Sequence, residues 1–155
     1  MLSPLSVGEL APDFTLQDQH GKSQTLSSRR GSCSVLLVFF PFAFTGVCNG
    51  EMHALSDHAA QWRSLGADVL AVSCDTLPAL RRFSDQERLD VPLLSDFWPH
   101  GAVSSAYGVF QDSIGAAGRG SFVIDRSGII QWTVQTAMPD ARDVNDYLSA
   151  VRLVS

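Results

Sequence analysis

The residue best placed for chemistry is Cys48, three positions after Thr45 and seven after Pro41. Ahead of it runs Ser34-Val-Leu-Leu-Val-Phe-Phe40, apolar and rich in β-branched and aromatic residues, which reads as a buried strand. Pro41 ends that strand, because proline has no N–H to give a sheet ladder. Thr45 predicts a helix N-cap. Cys48, Met52, Leu55, Ala59 and Trp62 then follow at steps of four, three, four and three, which is one helix face. Cys48 is thus expected in the first turn of a helix, on its inward side, just beyond a strand. A helix N-terminus carries roughly half an elementary positive charge and several unpaired N–H groups, so it favours an anion. A thiolate is favoured there over a thiol, and the thiolate is the nucleophile. The dipole contributes only about 0.3–1 kcal/mol, too little to activate a thiol strongly. Charge-assisted hydrogen bonds of roughly 1.5–3 kcal/mol each must supply the rest. The Thr45 hydroxyl and an arginine from elsewhere in the chain are the expected donors. An isolated cysteine on a core face is otherwise an ordinary small hydrophobe.

The elements that position this segment can be read on either side of it. Ala11-Pro-Asp-Phe-Thr-Leu-Gln17 alternates as a strand, Asp18–Lys22 makes a turn, and Gln24-Thr-Leu26 returns. His20 in that turn reads as a solvated loop residue. The long helix ends at Leu65-Gly66. Ala67–Ser73 is a second buried strand, followed by Cys74 and Asp75 at its C-terminal end. In a parallel pair that end shares a sheet edge with Cys48, where α/β proteins place their sites. Pro78–Arg88 reads as a helix with Leu80 and Phe83 inward, Val91–Ser95 as a strand, Asp96–Gly101 as a loop and Ala102–Tyr107 as a short helix. Ser121–Asp125 and Ile129–Val134 form a hairpin around Arg126-Ser-Gly128. A last helix from about Asp140 carries Val144, Tyr147, Leu148 and Val151 inward. A β-hairpin, then βαβαβ, then a hairpin and a helix predicts a thioredoxin-like α/β sandwich, with a mixed central β-sheet flanked by helices. The strand order is left open by the pattern.

At 155 residues, 45% hydrophobic and 17% charged, the chain is expected to form one globular domain, residues 1–155, with an ample core. A net charge of −5 gives no electrostatic reason for nucleic acid or an anionic membrane as partner. The longest apolar run, Val35–Phe44, is too short to cross a bilayer and contains Pro41. The segment Met1–Gly8 lacks a basic start and a continuous apolar core, so a cytoplasmic location without a signal peptide is expected. Three widely spaced cysteines are not a disulfide framework. Cys33 precedes the central strand, which spans roughly 23 Å, so it is expected at the opposite end of the sheet from Cys48 and in a structural role. Cys74 is the one internal candidate to pair with an oxidised Cys48, although a cysteine buried at a strand end is more often inert.

Pro41-x-x-x-Thr45-x-x-Cys48 resembles the active-site signature of the peroxiredoxins. The resemblance extends over nearly the whole chain, through Ala11-Pro-Asp-Phe-Thr-Leu, Pro92-Leu-Leu-Ser-Asp-Phe-Trp-Pro-His-Gly, Ala106-Tyr-Gly-Val-Phe and Arg119-Gly-Ser-Phe-Val-Ile-Asp. The Phe97–Gly101 stretch is most similar to the one-cysteine alkyl hydroperoxide reductase E group of that family, found in actinobacteria. The resemblance implies a peroxidatic thiolate at Cys48, a hydroxyl at Thr45 that bonds thiolate and peroxide, a shielding ring at Pro41 and a guanidinium at Arg119. It further implies that Glu51, one turn after the cysteine, orients that arginine. Such donors lower the barrier to displacement at oxygen by meeting the charge that develops on the leaving group. The flanking Gly118 and Gly120 read as permitting Arg119 a close approach to the site.

The resemblance implies a hydroperoxide reductase acting on hydrogen peroxide, organic hydroperoxides and peroxynitrite through a Cys48 sulfenic acid, with no metal or cofactor. It implies an external low-molecular-weight thiol such as mycothiol, together with a glutaredoxin-like mycoredoxin, as the reductant. It also implies a homodimer joined near the active-site loops, for which Phe44, Phe83 and Trp98 are candidate apolar contacts, each reading equally well as plain core. A Cys-x-x-Cys exchange site is excluded because position 51 is Glu, and position 53 is His where some relatives carry a resolving cysteine. His53 and His58 fall off the Cys48 stripe, so a Cys–His hydrolase is disfavoured, and His100 reads as a loop residue. The reading from a different class is a peroxide sensor or holdase that passes oxidation to a protein partner.

Overall fold

The computed structural model describes residues 4–137 and 141–155. A short antiparallel hairpin, β1 (Thr15–Gln17) with β2 (Ser23–Thr25), leads through a 3-10 turn, Leu26–Arg29, into β3 (Ser34–Phe39). Next come α1 (Gly46–Asp57), α2 (Ala59–Ser64), β4 (Ala67–Ser73), α3 (Leu77–Glu87), β5 (Leu93–Ser95) and α4 (Ala102–Ala106). A small hairpin of β6 (Phe110–Gln111) and β7 (Ala116–Ala117) precedes β8 (Arg119–Ile124), β9 (Ile130–Thr136) and α5 (Val144–Val154). Five strands form one mixed sheet in the order β5-β4-β3-β8-β9. β3 runs parallel to β4 and antiparallel to β8, with Val38 opposite Ser121. This is the thioredoxin-like α/β arrangement anticipated from the element order.

The alternation of side chains along the strands sorts the core into two layers. Leu36, Val38, Phe40, Val69, Ala71 and Val123 face one side, where they pack with Met52 and Leu55 of α1, Trp62 of α2, Leu80 and Phe83 of α3, and Tyr147, Leu148 and Val151 of α5. Val35, Leu37, Phe39, Leu70, Val72, Phe122 and Ile124 face the other, against Phe14, Leu26, Tyr107 and Val109. All six residues of β3 are buried, as are those of β8. A strand covered on both faces is continuously apolar rather than alternating, which is why Ser34–Phe40 is legible as it is.

Two local features depart from the sequence expectation. The helix expected to run from Cys48 past Trp62 is interrupted at His58, whose backbone leaves the helical region at φ −99°, ψ 15°. Side chains take over the carbonyls that the interruption frees: a His58 ring nitrogen lies 2.7 Å from Ala54 O, and Trp62 Nε1 donates to Leu55 O at 2.9 Å. With those acceptors satisfied, the chain can bend without stranding buried polar groups. The last helix was expected to begin near Asp140, which lies outside the described residues; residues 141–143 are not helical, and Asp143 caps α5 by accepting from Asn145 N.

Candidate active site

The site forms where β3 runs out. Pro41 is buried immediately beyond the strand, and the chain turns through Phe42-Ala43-Phe44 into α1. Phe44 takes a left-handed backbone at φ 68°, a conformation that costs a non-glycine residue on the order of 1–3 kcal/mol. Two contacts hold the turn. The Phe44 ring meets Phe83 of α3 edge-on, with centroids 5.2 Å apart. The Asp75 carboxylate, just past β4, accepts the Ala43 N–H at 2.9 Å and the Ser73 hydroxyl at 2.7 Å from the same oxygen. Thr45 occupies the N-cap position with extended backbone, and Asn49 N closes the first helical turn onto its carbonyl at 2.8 Å.

Cys48 is fully buried on the inner face of α1. Arg119, the first residue of β8, donates from Nη2 to Cys48 Sγ at 3.4 Å and from Nη1 to Glu51 Oε1. Glu51 is saturated. Besides Arg119, its two oxygens receive the backbone N–H of Arg142 at 2.8 Å, Arg142 Nε at 2.8 Å and Arg142 Nη2 at 3.0 Å. Arg142 Nη1 donates further to Gly120 O at 3.0 Å and Ser121 Oγ at 2.9 Å, and Ser121 Oγ lies 2.6 Å from the Tyr147 hydroxyl. Every member of this network is buried.

The charge count explains what such a cluster favours. Two guanidiniums and one carboxylate leave a surplus positive charge beside a sulfur that water does not reach, so an anionic sulfur brings the cluster to neutrality. A guanidinium about 4 Å from a unit negative charge is worth about 4 kcal/mol at an effective dielectric of about 20, part of which offsets the desolvation of the ion. That exceeds the 0.3–1 kcal/mol or so available from the helix dipole. The arginine, more than the helix terminus, is the partner an anionic sulfur meets here. For Arg142, burial works against the charge, the Glu51 bonds and the surrounding electrostatics together outweigh it, and its pKa is raised.

The sequence expectation and the structure part company over the Thr45 hydroxyl and over the glycines beside Arg119. Thr45 holds the expected backbone position, but its hydroxyl donates to Phe42 O at 2.9 Å and not to the sulfur. It makes no side-chain cap either. The glycines beside Arg119 do not serve its approach to the site. A Cβ on Gly120 would come within 2.6 Å of Val109 Cγ1, and one on Gly118 within 2.9 Å of Gln111 Nε2. Alternation in β8 puts Arg119 and Ser121 on the α1 and α5 side, and Gly120 on the other, where it admits the segment leading into β6.

Arg142, Ser121, Tyr147 and Asp75 were not singled out from the sequence as parts of the site. An arginine before a helix carries no local mark of burial, and Ser121 lies in an otherwise apolar strand; only the distance between buried polar residues, each needing a partner, could have pointed to them. The remaining cysteines are free. Burial, then the nearby Asp96 charge, pushes the Cys74 thiol up to about 11, and its sulfur lies 3.9 Å from Ser104 Oγ. Cys33 is half-buried, and burial followed by the Asp68 charge raises it as well. Three of the four histidines are engaged elsewhere: His53 with Glu87 at 2.8 Å, His58 with Ala54 O, and His100 between Phe97 O at 3.1 Å and Gly115 O at 2.7 Å. Of the expected dimer contacts, Phe83 is fully buried in this chain's own core, so it is core and not surface, whereas Phe44 and Trp98 are exposed.

A thioredoxin-like sheet with a cysteine paired to arginine at the mouth of its first long helix defines a thiol-dependent redox protein. The profile of the AhpC/TSA family matches residues 7–133, and the chain belongs to that family, the peroxiredoxin thiol peroxidases. It is 50% identical over 139 residues to alkyl hydroperoxide reductase E of Mycobacterium tuberculosis, covering 90% of this chain and 91% of the relative. Peroxiredoxin-2 of Mus musculus is 36% identical over 156 residues, covering 94% and 77%. Among solved structures, peroxidoxin BcpB from Mycobacterium tuberculosis superposes with a TM-score of 0.86 at 28% identity, covering 97% of this chain and 99% of that one.

Proposed function

We propose that Cys48 is the peroxidatic residue of a one-cysteine peroxiredoxin reducing hydrogen peroxide, organic hydroperoxides and peroxynitrite. The observation that carries the proposal is Arg119 bonded at once to Cys48 Sγ and to Glu51 inside a buried, charge-balanced cluster. In the reaction the thiolate attacks the terminal oxygen of R–O–OH, an S–O bond forms as O–O breaks, and RO⁻ leaves to take up a proton as ROH. The product at Cys48 is a sulfenic acid. Arg119 meets the charge developing on the oxygens, an always-protonated planar donor suited to the task. Glu51 orients Arg119. With its proton on Phe42 O, the Thr45 hydroxyl oxygen keeps lone pairs that accept the O–H of a hydroperoxide. The Pro41 ring shields the sulfur.

An external thiol of the mycothiol class then condenses with the sulfenic acid, releasing water and leaving a mixed disulfide that a glutaredoxin-like mycoredoxin reduces. Likeness to the actinobacterial reductase supports that choice of reductant. The burial and raised pKa of Cys74 support a mechanism without an internal disulfide, because a thiol must ionise to attack. Residues 1–155 act as one domain in the cytoplasm, as a homodimer in which exposed Phe44 and Trp98 lie in the interface. Sedimentation of wild type against Trp98→Glu tests the dimer, which the substitution is expected to dissociate. The test of the mechanism is intact-mass measurement of wild type, Cys48→Ser and Cys74→Ser after one equivalent of peroxide. One added oxygen in wild type and Cys74→Ser but not in Cys48→Ser is expected; loss of two hydrogens in wild type overturns the one-cysteine scheme.

A further inference from the structure

The hydrogen bonds leaving the sulfur do not stop at Arg142. Its guanidinium spends Nε and Nη2 on Glu51, and both protons of Nη1 have acceptors, the Gly120 carbonyl and the Ser121 hydroxyl. Gly120 O belongs to the strand and cannot be adjusted. Ser121 Oγ is a rotor, and what fixes it is the Tyr147 hydroxyl 2.6 Å away on α5. Tyr147 is itself pinned: its ring meets Trp132 of β9 edge-on with centroids 5.9 Å apart, and only 3% of its surface is exposed. Neither hydroxyl takes part in the reaction proposed above.

We infer that Ser121 and Tyr147 are positioning residues for the peroxidatic site, acting in series through Arg142 and Glu51 to aim Arg119 at Cys48. Their burial gives the pair its effect. In a low-dielectric interior a buried hydroxyl that loses one partner turns toward another, and a Ser121 hydroxyl that turns no longer presents its oxygen to the arginine's proton at the same angle. Burial pushes the Tyr147 phenol up to about 12, so the link joins two neutral hydroxyls across the physiological range. Freed of Tyr147, Ser121 turns, Arg142 slackens on Glu51, and Arg119 loses its fixed angle to the sulfur. Misplacement of a catalytic group by a fraction of an ångström to about 1 Å costs up to about a hundredfold in rate.

The inference rests on the peroxidase reading of Cys48, and the experiment separates the two. Tyr147→Phe keeps the ring against Trp132 and deletes one oxygen; Ser121→Ala deletes the other. Each is assayed for peroxide reduction and, independently of any peroxide, for the pH dependence of Cys48 alkylation by iodoacetamide, followed peptide by peptide. The expected result is a peroxide rate lowered about tenfold in each variant, an alkylation midpoint moved to higher pH, and a double variant no slower than the slower single, as residues acting in series require. A wild-type rate and midpoint in Tyr147→Phe overturn the inference, and so does a double variant slowed by the product of the two single effects. A wild type that alkylates at Cys48 but consumes no peroxide overturns the peroxidase reading instead, while the alkylation midpoints still decide the role of Ser121 and Tyr147.

Discussion

Arg142 grips Glu51 with three donors, its own backbone N–H and two guanidinium nitrogens, at 2.8, 2.8 and 3.0 Å across a separation of 91 residues. A carboxylate held in that way cannot follow a moving partner, so Arg119, bonded to the same carboxylate, is fixed as well. Arg142 therefore fixes, through Glu51, the arginine that meets the sulfur, from a segment ahead of α5. Removing either Arg142 or Glu51 leaves a buried charge uncompensated, which costs roughly 3–5 kcal/mol. Arg142→Met and Glu51→Gln are each expected to lower the unfolding free energy by about that amount in urea titrations, and to slow peroxide reduction. A loss below about 1 kcal/mol, the range of exposed ion pairs, contradicts this account.

Arg119→Met deletes the donor on the sulfur. Loss of one preorganised donor at a developing charge typically costs about a hundred- to a thousandfold, and a peroxide rate constant lowered by at least about a hundredfold is expected in stopped-flow assays. Thr45→Val is expected to act comparably through lost contact with the hydroperoxide. Unchanged rates remove either residue from the mechanism.

The Asp75 carboxylate that accepts Ala43 N–H restrains a turn whose Phe44 backbone is strained at φ 68°. A hydrogen bond to a charged group contributes about 1.5–3 kcal/mol, or roughly ten- to a hundredfold in the population of the open turn. Asp75→Ala is expected to raise amide exchange across residues 42–46 by that factor while the amides of β3 exchange as before. Equal protection in both proteins shows that the turn is held by other means.

Cys74 titrates near 11 against an ordinary value of 9.0, because burial and Asp96 oppose its charged form. The unfolded thiol releases its proton first, so this contribution to stability is complete below about pH 9 and falls as pH rises toward 11. Wild type is expected to lose more stability over that interval than Cys74→Ala, measured by denaturant titration at successive pH values. Parallel curves contradict the burial argument. By the same chemistry, Cys74 is expected to resist alkylation at neutral pH.

What the linear order of residues determines here is the part that local physics can reach. A doubly buried strand is a continuous apolar run, a proline stops it, a threonine opens the next helix, and a 3.6-residue period turns Cys48 inward. These features made the strand-to-helix junction, the α/β sandwich and the inward place of Cys48 readable, whereas the choice of Cys48 as nucleophile came from the resemblance. Resemblance added Arg119 and Glu51, and the structure brings both to Cys48. Tertiary structure alone decided the strand order, which depends on distant backbone partners, and also the interruption at His58 and the direction of the Thr45 hydroxyl, which turn on which nearby carbonyl a side chain meets. It alone recruited Arg142, Ser121 and Tyr147. A buried polar side chain is defined by its partner, and when that partner lies 21 to 91 residues away no local pattern announces it.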